Sequence, residues 1–269
     1  MQIVFYILLF ILGACFGSFL CCQARRLHLK AQKSKQKLGS RSVCLNCHYH
    51  LKWYDNIPII SWLFLRGKCR KCHHKIGLAE ILSEICLALA FLGLGTTIDL
   101  STASILAWCT FVITLVFVVS LGFLAIYDGV YGELPIKSLK ISIIIALVLL
   151  VLKEYSLIST IPFRPEFIYN PLISIIILGG LYFALYRLSK GKWVGDGDWL
   201  LGLAIGLALY DPWLTLITLF LANLLACLIM FPAVRRQKHA HIYFGPFLVI
   251  AFIIVTIFAD VFSGLLLMS

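Results

Sequence analysis

Long runs of apolar residues, separated by shorter polar stretches, dominate the chain. A helix needs roughly 20 apolar residues to cross the hydrocarbon core of a bilayer. Runs that approach this length without a charge occur at seven or eight places, and each predicts a membrane-spanning helix. The predicted spans lie near residues 3–22, 78–97, 103–127, 138–152, 170–186, 199–210, 212–232 and 243–267. The sixth run is short, which fits either a short tilted span or one part of a broken span that includes the seventh run.

The composition supports the same class of protein. Of the 269 residues, 61% are hydrophobic and only 13% are charged. A soluble globular protein needs more polar surface than this, so the bilayer must act as the solvent. The sequence therefore predicts an all-α polytopic membrane protein with about eight transmembrane helices. The first run lacks a preceding basic segment, so we expect a membrane anchor rather than a cleaved signal peptide.

The basic residues are concentrated in loops that share one side of the membrane. With eight spans, only Lys153 and Arg164 among the 23 Lys and Arg residues fall on the opposite side. Because Lys and Arg favour cytoplasmic loops, the N-terminus is predicted outside the cell and the long loop after the first span inside it. The net charge of +11 is then a topological signal that also attracts anionic lipid headgroups, and no nucleic-acid partner is expected.

Four of the ten cysteines form two CxxC pairs in this long loop, Cys44 with Cys47 and Cys69 with Cys72. Two such pairs about 20 residues apart match a structural zinc site with four thiolate ligands. A loop of roughly fifty residues builds little hydrophobic core, so a bound metal would supply the missing folding energy. The alternative, two disulfides or free thiols, is disfavoured because the cytoplasm keeps thiols reduced.

Four histidines lie close to the CxxC pairs in the sequence. They are His48, His50, His73 and His74. We interpret them as surface groups or as partners of the ligands, because four thiolates already complete a tetrahedral site. The other six cysteines fall in or beside predicted spans, where free Cys behaves as a small hydrophobic residue.

Acidic residues are scarce, and two of them lie at the predicted cytoplasmic ends of spans. Asp128 closes the third span and Asp198 precedes the sixth. A carboxylate at a membrane boundary is costly unless it faces a polar cavity or a partner. Helix capping explains either residue alone. Two carboxylates brought together share one proton, which leaves one as general base and one as general acid for a bound water, as in an aspartyl protease.

The second aspartate ends the sequence Gly195-Asp196-Gly197-Asp198. Its two glycines permit unusual backbone torsions and a close approach of helices, which would let Asp198 reach Asp128. Asp196 lies only two residues from Asp198, and the sequence alone allows either residue to carry the chemistry.

Motifs along nearly the whole chain resemble those of the type IV prepilin leader peptidases, including members that serve competence pseudopilins in Gram-positive bacteria. They occur in the order found in that family. The motifs are GSFL at residues 17–20 with Arg26-Leu27 after it, the two CxxC pairs, NIPIISWLFLRGKCRKC at residues 56–72, Glu84, Tyr127-Asp128 followed by Pro135, GDGD at residues 195–198, and Phe244-Gly245-Pro246.

The resemblance implies a GxGD-type aspartyl endopeptidase, related in motif to the presenilins, that cuts a short basic leader from pilin-like precursors at the cytoplasmic membrane face. Asp128 and Asp198 would form the catalytic dyad. Asp196 would be either the alternative to Asp198 or a contact for the basic residues of the leader. Many members also methylate the new N-terminus, so the resemblance implies S-adenosylmethionine as a cofactor beside structural Zn²⁺.

The chain departs from the usual family pattern at four positions. They are Cys21, Leu45, Ile136 and Leu200, where relatives often carry Asn, Pro, Asp and Lys. None of these departures removes a catalytic carboxylate or a zinc thiolate. Cys21 weakens the expectation of methyl transfer.

The predicted organisation has three parts: a first transmembrane helix at residues 1–22, a cytoplasmic four-Cys zinc-binding loop domain at 23–77, and a transmembrane aspartyl peptidase core at 78–269. Two other classes of function fit the same features. An ion-coupled transporter would use the two aspartates as a relay, although relay carboxylates belong near the bilayer midplane. A non-catalytic membrane anchor would dock partner proteins through its zinc loop.

Overall fold

The computed structural model describes residues 2–32, 42–44, 46–158, 165–191, 194–236 and 243–267. Over these ranges the fold is all-helical, as predicted, with two isolated β-bridges and no β-strand. The chain forms two compact units, Met1–Gly95 and Thr96–Ser269.

Six of the described helical segments are long and apolar enough to cross a membrane. They are α1 (Gln2–Ala31), α3 (Leu78–Gly95), α4 (Ile105–Tyr131), α5 (Ile136–Ile158), the segment Glu166–Ser189 and the first part of α9 (Pro212–Arg236). Two predicted spans form shorter apolar helices, α8 (Asp198–Leu209) and α10 (Gly245–Ile257), and α11 (Ala259–Leu267) follows the latter. The structure therefore confirms a multi-pass all-α membrane protein. The number of eight spans stays a prediction, as do the three-part division and the orientation.

In the first unit, α1 and α3 pack through glycines. Gly13 and Gly17 lie four residues apart and so share one face of α1. A Cβ atom at Gly17 would lie 2.5 Å from the Ser83 carbonyl oxygen and 2.6 Å from Glu84 Cα. Only residues without a side chain allow two helix backbones this close, as in the small-residue interfaces of membrane helices. The loop between these helices contains a 3₁₀ turn (Trp53–Asp55) and a short helix, α2 (Ile60–Phe64).

The second unit is built around α8. This helix contacts α5, α9 and α10, and also the broken helix formed by α6 (Glu166–Ile175), a π-helical turn (Ile176–Gly180) and α7 (Leu181–Ser189). Its residues from Leu201 to Leu209 are nearly all buried, as expected for a helix that is apolar on every side. The short sixth run is thus a central helix, and a helix of about 18 Å is tolerated at membrane depth because protein covers it.

The far end of α8 is fixed by a lysine from α5. Lys153 Nζ donates a hydrogen bond to the Ala208 carbonyl oxygen at 2.6 Å. Helix C-termini leave carbonyl groups without helical partners, and a cation there satisfies one of them. The chain then turns at Tyr210, whose φ of 67° is left-handed, before α9 begins. Lys153, one of the two basic residues predicted on the non-cytoplasmic side, therefore has a structural role at the end of α8 opposite Asp198.

Candidate active site and metal centre

Asp128 lies near the end of α4 and is buried, with 6% of its surface exposed. Its Oδ2 atom accepts a hydrogen bond from the backbone N–H of Gly245, the first residue of α10, at 3.0 Å. A Cβ atom at Gly245 would lie 2.7 Å from the same oxygen, so glycine is needed for this approach. The N-terminus of a helix carries partial positive charge, which favours a carboxylate at this position.

Asp198 is the first residue of α8 and is half-buried. Its Oδ2 atom accepts a hydrogen bond from the backbone N–H of Gly195 at 2.9 Å. A Cβ atom at Gly195 would lie only 3.2 Å from this oxygen. The GDGD segment thus folds back on its last carboxylate, which fixes the direction of the Asp198 side chain.

The glycine before Asp198 allows the helices of the two aspartates to approach each other. Gly197 packs against Leu134, which follows α4, and a Cβ atom at Gly197 would lie 2.5 Å from Leu134 Cβ. The start of α8 can therefore approach the end of α4. The carboxylate of Asp128 lies within electrostatic reach of Asp198. The structure thus brings the predicted pair into one site, while the catalytic role of the pair stays a prediction.

Asp196 has different surroundings. It is exposed, and its Oδ1 atom accepts only a long hydrogen bond, 3.5 Å, from the indole Nε1 of Trp199. Asp198 is held by a backbone amide and interacts with Asp128. The geometry therefore favours Asp198 over Asp196 as the partner of Asp128.

The four cysteines of the first unit converge on one point. Their sulfur atoms all lie within 4.8 Å of one another, with Cys44 and Cys72 at 3.8 Å and Cys47 and Cys69 at 4.0 Å. Zn–S bonds of about 2.3 Å in a tetrahedron place sulfurs about 3.8 Å apart, so the cluster fits Zn²⁺. A hydrogen bond from the backbone N–H of His74 lowers the pKa of the Cys72 thiol, which favours the thiolate that a metal binds, while burial and the neighbouring cysteines raise the pKa of Cys47.

The two CxxC pairs have the same backbone fold. In the first, the Cys44 N–H donates to the Tyr49 carbonyl at 3.0 Å and the His48 N–H donates to the Cys44 carbonyl at 2.9 Å. The second repeats this pattern with Cys69, His74 and His73 at 2.9 and 3.0 Å. His48 and His73 have left-handed φ angles of 53° and 54°. Histidine is among the residues that enter this region more readily. These two histidines thus serve the turn, and the described metal cluster contains cysteines alone.

A polar cavity of about 200 Å³ lies beside the metal centre within the first unit. Three carboxylates and three cations line it: Asp55, Glu80, Glu84, Arg25, Arg70 and Lys75. Glu84, which only the resemblance singled out, is buried and its Oε2 atom accepts a hydrogen bond from the Ile59 N–H at 2.6 Å. Ile59 has a φ of 64°, which is rare for a β-branched residue. Glu84 therefore holds a strained turn of the loop against α3.

Sequence reasoning missed three residues of the aspartate site. Gly245 was noted only as part of a motif at the last span, without its contact to Asp128. Tyr182 and Gly202, which lie beside Asp198, gave no signal, because an aromatic residue and a glycine within apolar runs are ordinary in membrane helices. Leu45, one of the four departures from the family pattern, lies outside the described residues.

Comparison with known proteins identifies relatives for both units. The model of the bacterial peptidase A24 N-terminal domain matches residues 11–98. A prepilin leader peptidase/N-methyltransferase of Myxococcus xanthus (strain DK1622) is 37% identical over 38% of this chain and 31% of its own length. One from Vibrio cholerae is 36% identical over 32% of this chain and 35% of its own length. The matches to these two relatives thus span about a third of their length.

A third relative is matched almost from end to end. The prepilin leader peptidase/N-methyltransferase of Aeromonas hydrophila is 24% identical over 96% of this chain and 92% of its own length. No solved structure matches the chain. The apolar helices are those of a multi-pass membrane protein, and residues 11–98 of this protein match the peptidase A24 N-terminal domain. These matches confirm that the chain resembles the type IV prepilin leader peptidases, as its motifs indicated.

Proposed function

We propose that the protein is a membrane aspartyl endopeptidase that removes the short basic leader from type IV prepilins or pseudopilins. The observation that carries the proposal is the placement of Asp128 and Asp198 at the ends of two helices that approach each other at Gly197, with a glycine N–H holding each carboxylate and Asp128 within electrostatic reach of Asp198. Two neighbouring carboxylates share a proton, so one activates a water as general base and the other protonates the leaving amine.

The position of the pair supports a cut at the cytoplasmic membrane face. Asp128 lies within one turn of the end of α4, and Asp198 begins α8. The basic loops predict that these helix ends face the cytoplasm, with the N-terminus outside. A proton or cation relay would need carboxylates near the bilayer midplane, so this position favours the peptidase over the transporter.

Asp196 is suited to a separate task in the same reaction. It is exposed, and its carboxylate is two residues from Asp198. The basic residues of a leader could pair with the Asp196 carboxylate while the cleavage site lies at the dyad. We propose that Asp196 contributes to binding of the leader and that it takes no part in proton transfer.

Zn²⁺ would be held by Cys44, Cys47, Cys69 and Cys72, whose sulfur spacing fits the ion. When bound, it would crosslink the two CxxC turns and stabilise the loop. The four thiolates leave no open coordination position for a substrate, so the ion has a structural role in this proposal.

The names of the relatives include an N-methyltransferase activity. The resemblance implies that S-adenosylmethionine is the methyl donor. The cavity beside the metal centre is a poor fit for this sulfonium cation, because its three carboxylates are matched by Arg25, Arg70 and Lys75, and Arg25 and Arg70 pair directly with Glu80 and Asp55. The cavity volume of about 200 Å³ is also smaller than the roughly 300–1,000 Å³ of sites that enclose ligands of this size. The cavity as it stands does not fit the whole cofactor, so we propose no methyl-transfer step for this chain.

The test is co-expression with a prepilin and mass measurement of the N-terminus of the product. We expect the wild type to yield leaderless pilin and Asp128→Asn to yield only the unprocessed precursor, because an amide cannot exchange the proton. Asp260→Asn, which changes an exposed carboxylate in α11, is the matched control and should process normally. Normal processing by Asp128→Asn, at equal protein level in the membrane, contradicts the proposal. The same mass measurement reports any methylation of the product.

A further inference from the structure

Tyr182 in α7 is a buried tyrosine whose ring is fixed beside the aspartate pair. Only 4% of its surface is exposed. The ring packs against Phe244 with a centroid distance of 5.3 Å. On another side it lies against Gly202, where a Cβ atom would come within 3.1 Å of Tyr182 Cδ2. The ring thus occupies one defined position within the second unit.

Both contacts connect Tyr182 to a catalytic carboxylate. Gly202 is four residues after Asp198 on α8, so the two residues share one face of that helix. Tyr182 lies within electrostatic reach of Asp198. Phe244 directly precedes Gly245, whose N–H holds Asp128. The tyrosine therefore contacts the structural elements that position both aspartates.

The hydroxyl group of Tyr182 is buried and completes no hydrogen bond among the described residues. The Asn223 side chain lies close enough to interact with this hydroxyl, and its Nδ2 atom donates to the Leu219 carbonyl at 2.8 Å. Leaving a buried hydroxyl without a partner costs about 1–3 kcal/mol, so phenylalanine would serve better if packing were the only role. This donor, within electrostatic reach of Asp198, indicates a hydrogen bond that forms when substrate is present.

We propose that Tyr182 is a third catalytic residue, whose O–H donates a hydrogen bond to the scissile carbonyl oxygen of the bound precursor. This inference rests on the proposed function. Water adds to the carbonyl carbon and gives its proton to the carboxylate of the dyad, while the carbonyl oxygen becomes an oxyanion. Tyr182 stabilises that oxygen and keeps its own proton. The intermediate then reforms the carbonyl as the C–N bond breaks, and the amine leaves with the proton supplied by the acidic partner.

The test is the cleavage of a precursor peptide by the purified full chain carrying Tyr182→Phe. Removing one hydrogen-bond donor from an oxyanion site lowers kcat by about 100-fold or more in other enzymes. We expect such a fall in kcat with little change in KM, because the contact strengthens only as charge develops on the oxygen. Tyr169→Phe, which alters an exposed tyrosine in α6, is the control and should cleave at the wild-type rate.

Four outcomes separate the possible failures. A wild-type kcat for Tyr182→Phe overturns the proposal, as does a fall in activity that only matches a loss of folded protein in thermal unfolding. If the wild type cleaves and Asp198→Asn does not, the proposed function stands whatever Tyr182→Phe does. If the wild type and Asp198→Asn behave alike, the proposed function itself fails.

Discussion

The metal centre and the aspartate pair are assembled in opposite ways. The four cysteines lie in one loop, where two short turns with the same hydrogen bonds each present two sulfurs. Asp128 and Asp198 lie on different helices; Gly197 lets the start of α8 approach Leu134, which follows α4, and Gly245 lets α10 approach Asp128. The cysteine site follows from local backbone geometry, whereas the aspartate site depends on helix packing. We therefore expect the cysteine site to be sensitive to the loss of one ligand and the aspartate site to be sensitive to small increases in side-chain volume.

Loss of one zinc ligand should have the largest effect on structure. We expect Cys44→Ser to lose bound zinc and the fold of the loop, because three thiolates and a hydroxyl bind the ion far more weakly and the loop has little core of its own. Zinc content and limited proteolysis of the loop are the measurements. Cys109→Ser, at an exposed cysteine in α4, is the control. Unchanged zinc content in Cys44→Ser contradicts the four-thiolate site.

A single methyl group added at the aspartate site should have a smaller effect than the loss of a zinc ligand has on the loop. Gly197→Ala places a Cβ atom 2.5 Å from Leu134 Cβ, which lies next to the backbone and cannot move alone. Overpacking of this kind costs about 1–3 kcal/mol, and the resulting shift of Asp198 should slow cleavage by about tenfold. Gly264→Ala, with no atom within 4 Å of the new Cβ, is the control. Equal cleavage by Gly197→Ala and Gly264→Ala would show that the contact between Gly197 and Leu134 does not position Asp198.

The metal centre and the aspartate site also differ in how far their structures could be predicted from the sequence. The CxxC spacing predicted the cysteine cluster directly, because each pair needs only one turn to present both sulfurs. The apolar runs predicted the helices, since a bilayer requires that pattern. They did not reveal that the run after Asp198 forms the buried centre of the second unit, because burial by protein and burial by lipid select the same apolar residues.

The aspartate site could be predicted only in part. Asp128 and Asp198 were identified because charges are rare in this chain and because their motifs resemble those of a family. The N–H of Gly245, the ring of Tyr182 and the space left by Gly202 depend on contacts between distant segments, which no local pattern encodes. Arg164, which was used to predict the orientation, lies in residues 159–164, outside the described residues.

The most direct test of the central claim compares two neighbouring aspartates. Asp198→Asn and Asp196→Asn change one carboxylate each within the same GDGD segment, and both keep the size of the side chain. Cleavage of a precursor peptide should fall by about 100-fold or more for Asp198→Asn, because the dyad loses one of its two proton-transfer groups. Asp196→Asn should retain kcat and show at most a raised KM for the basic leader. Loss of kcat in Asp196→Asn with normal cleavage by Asp198→Asn would contradict the pairing of Asp128 with Asp198.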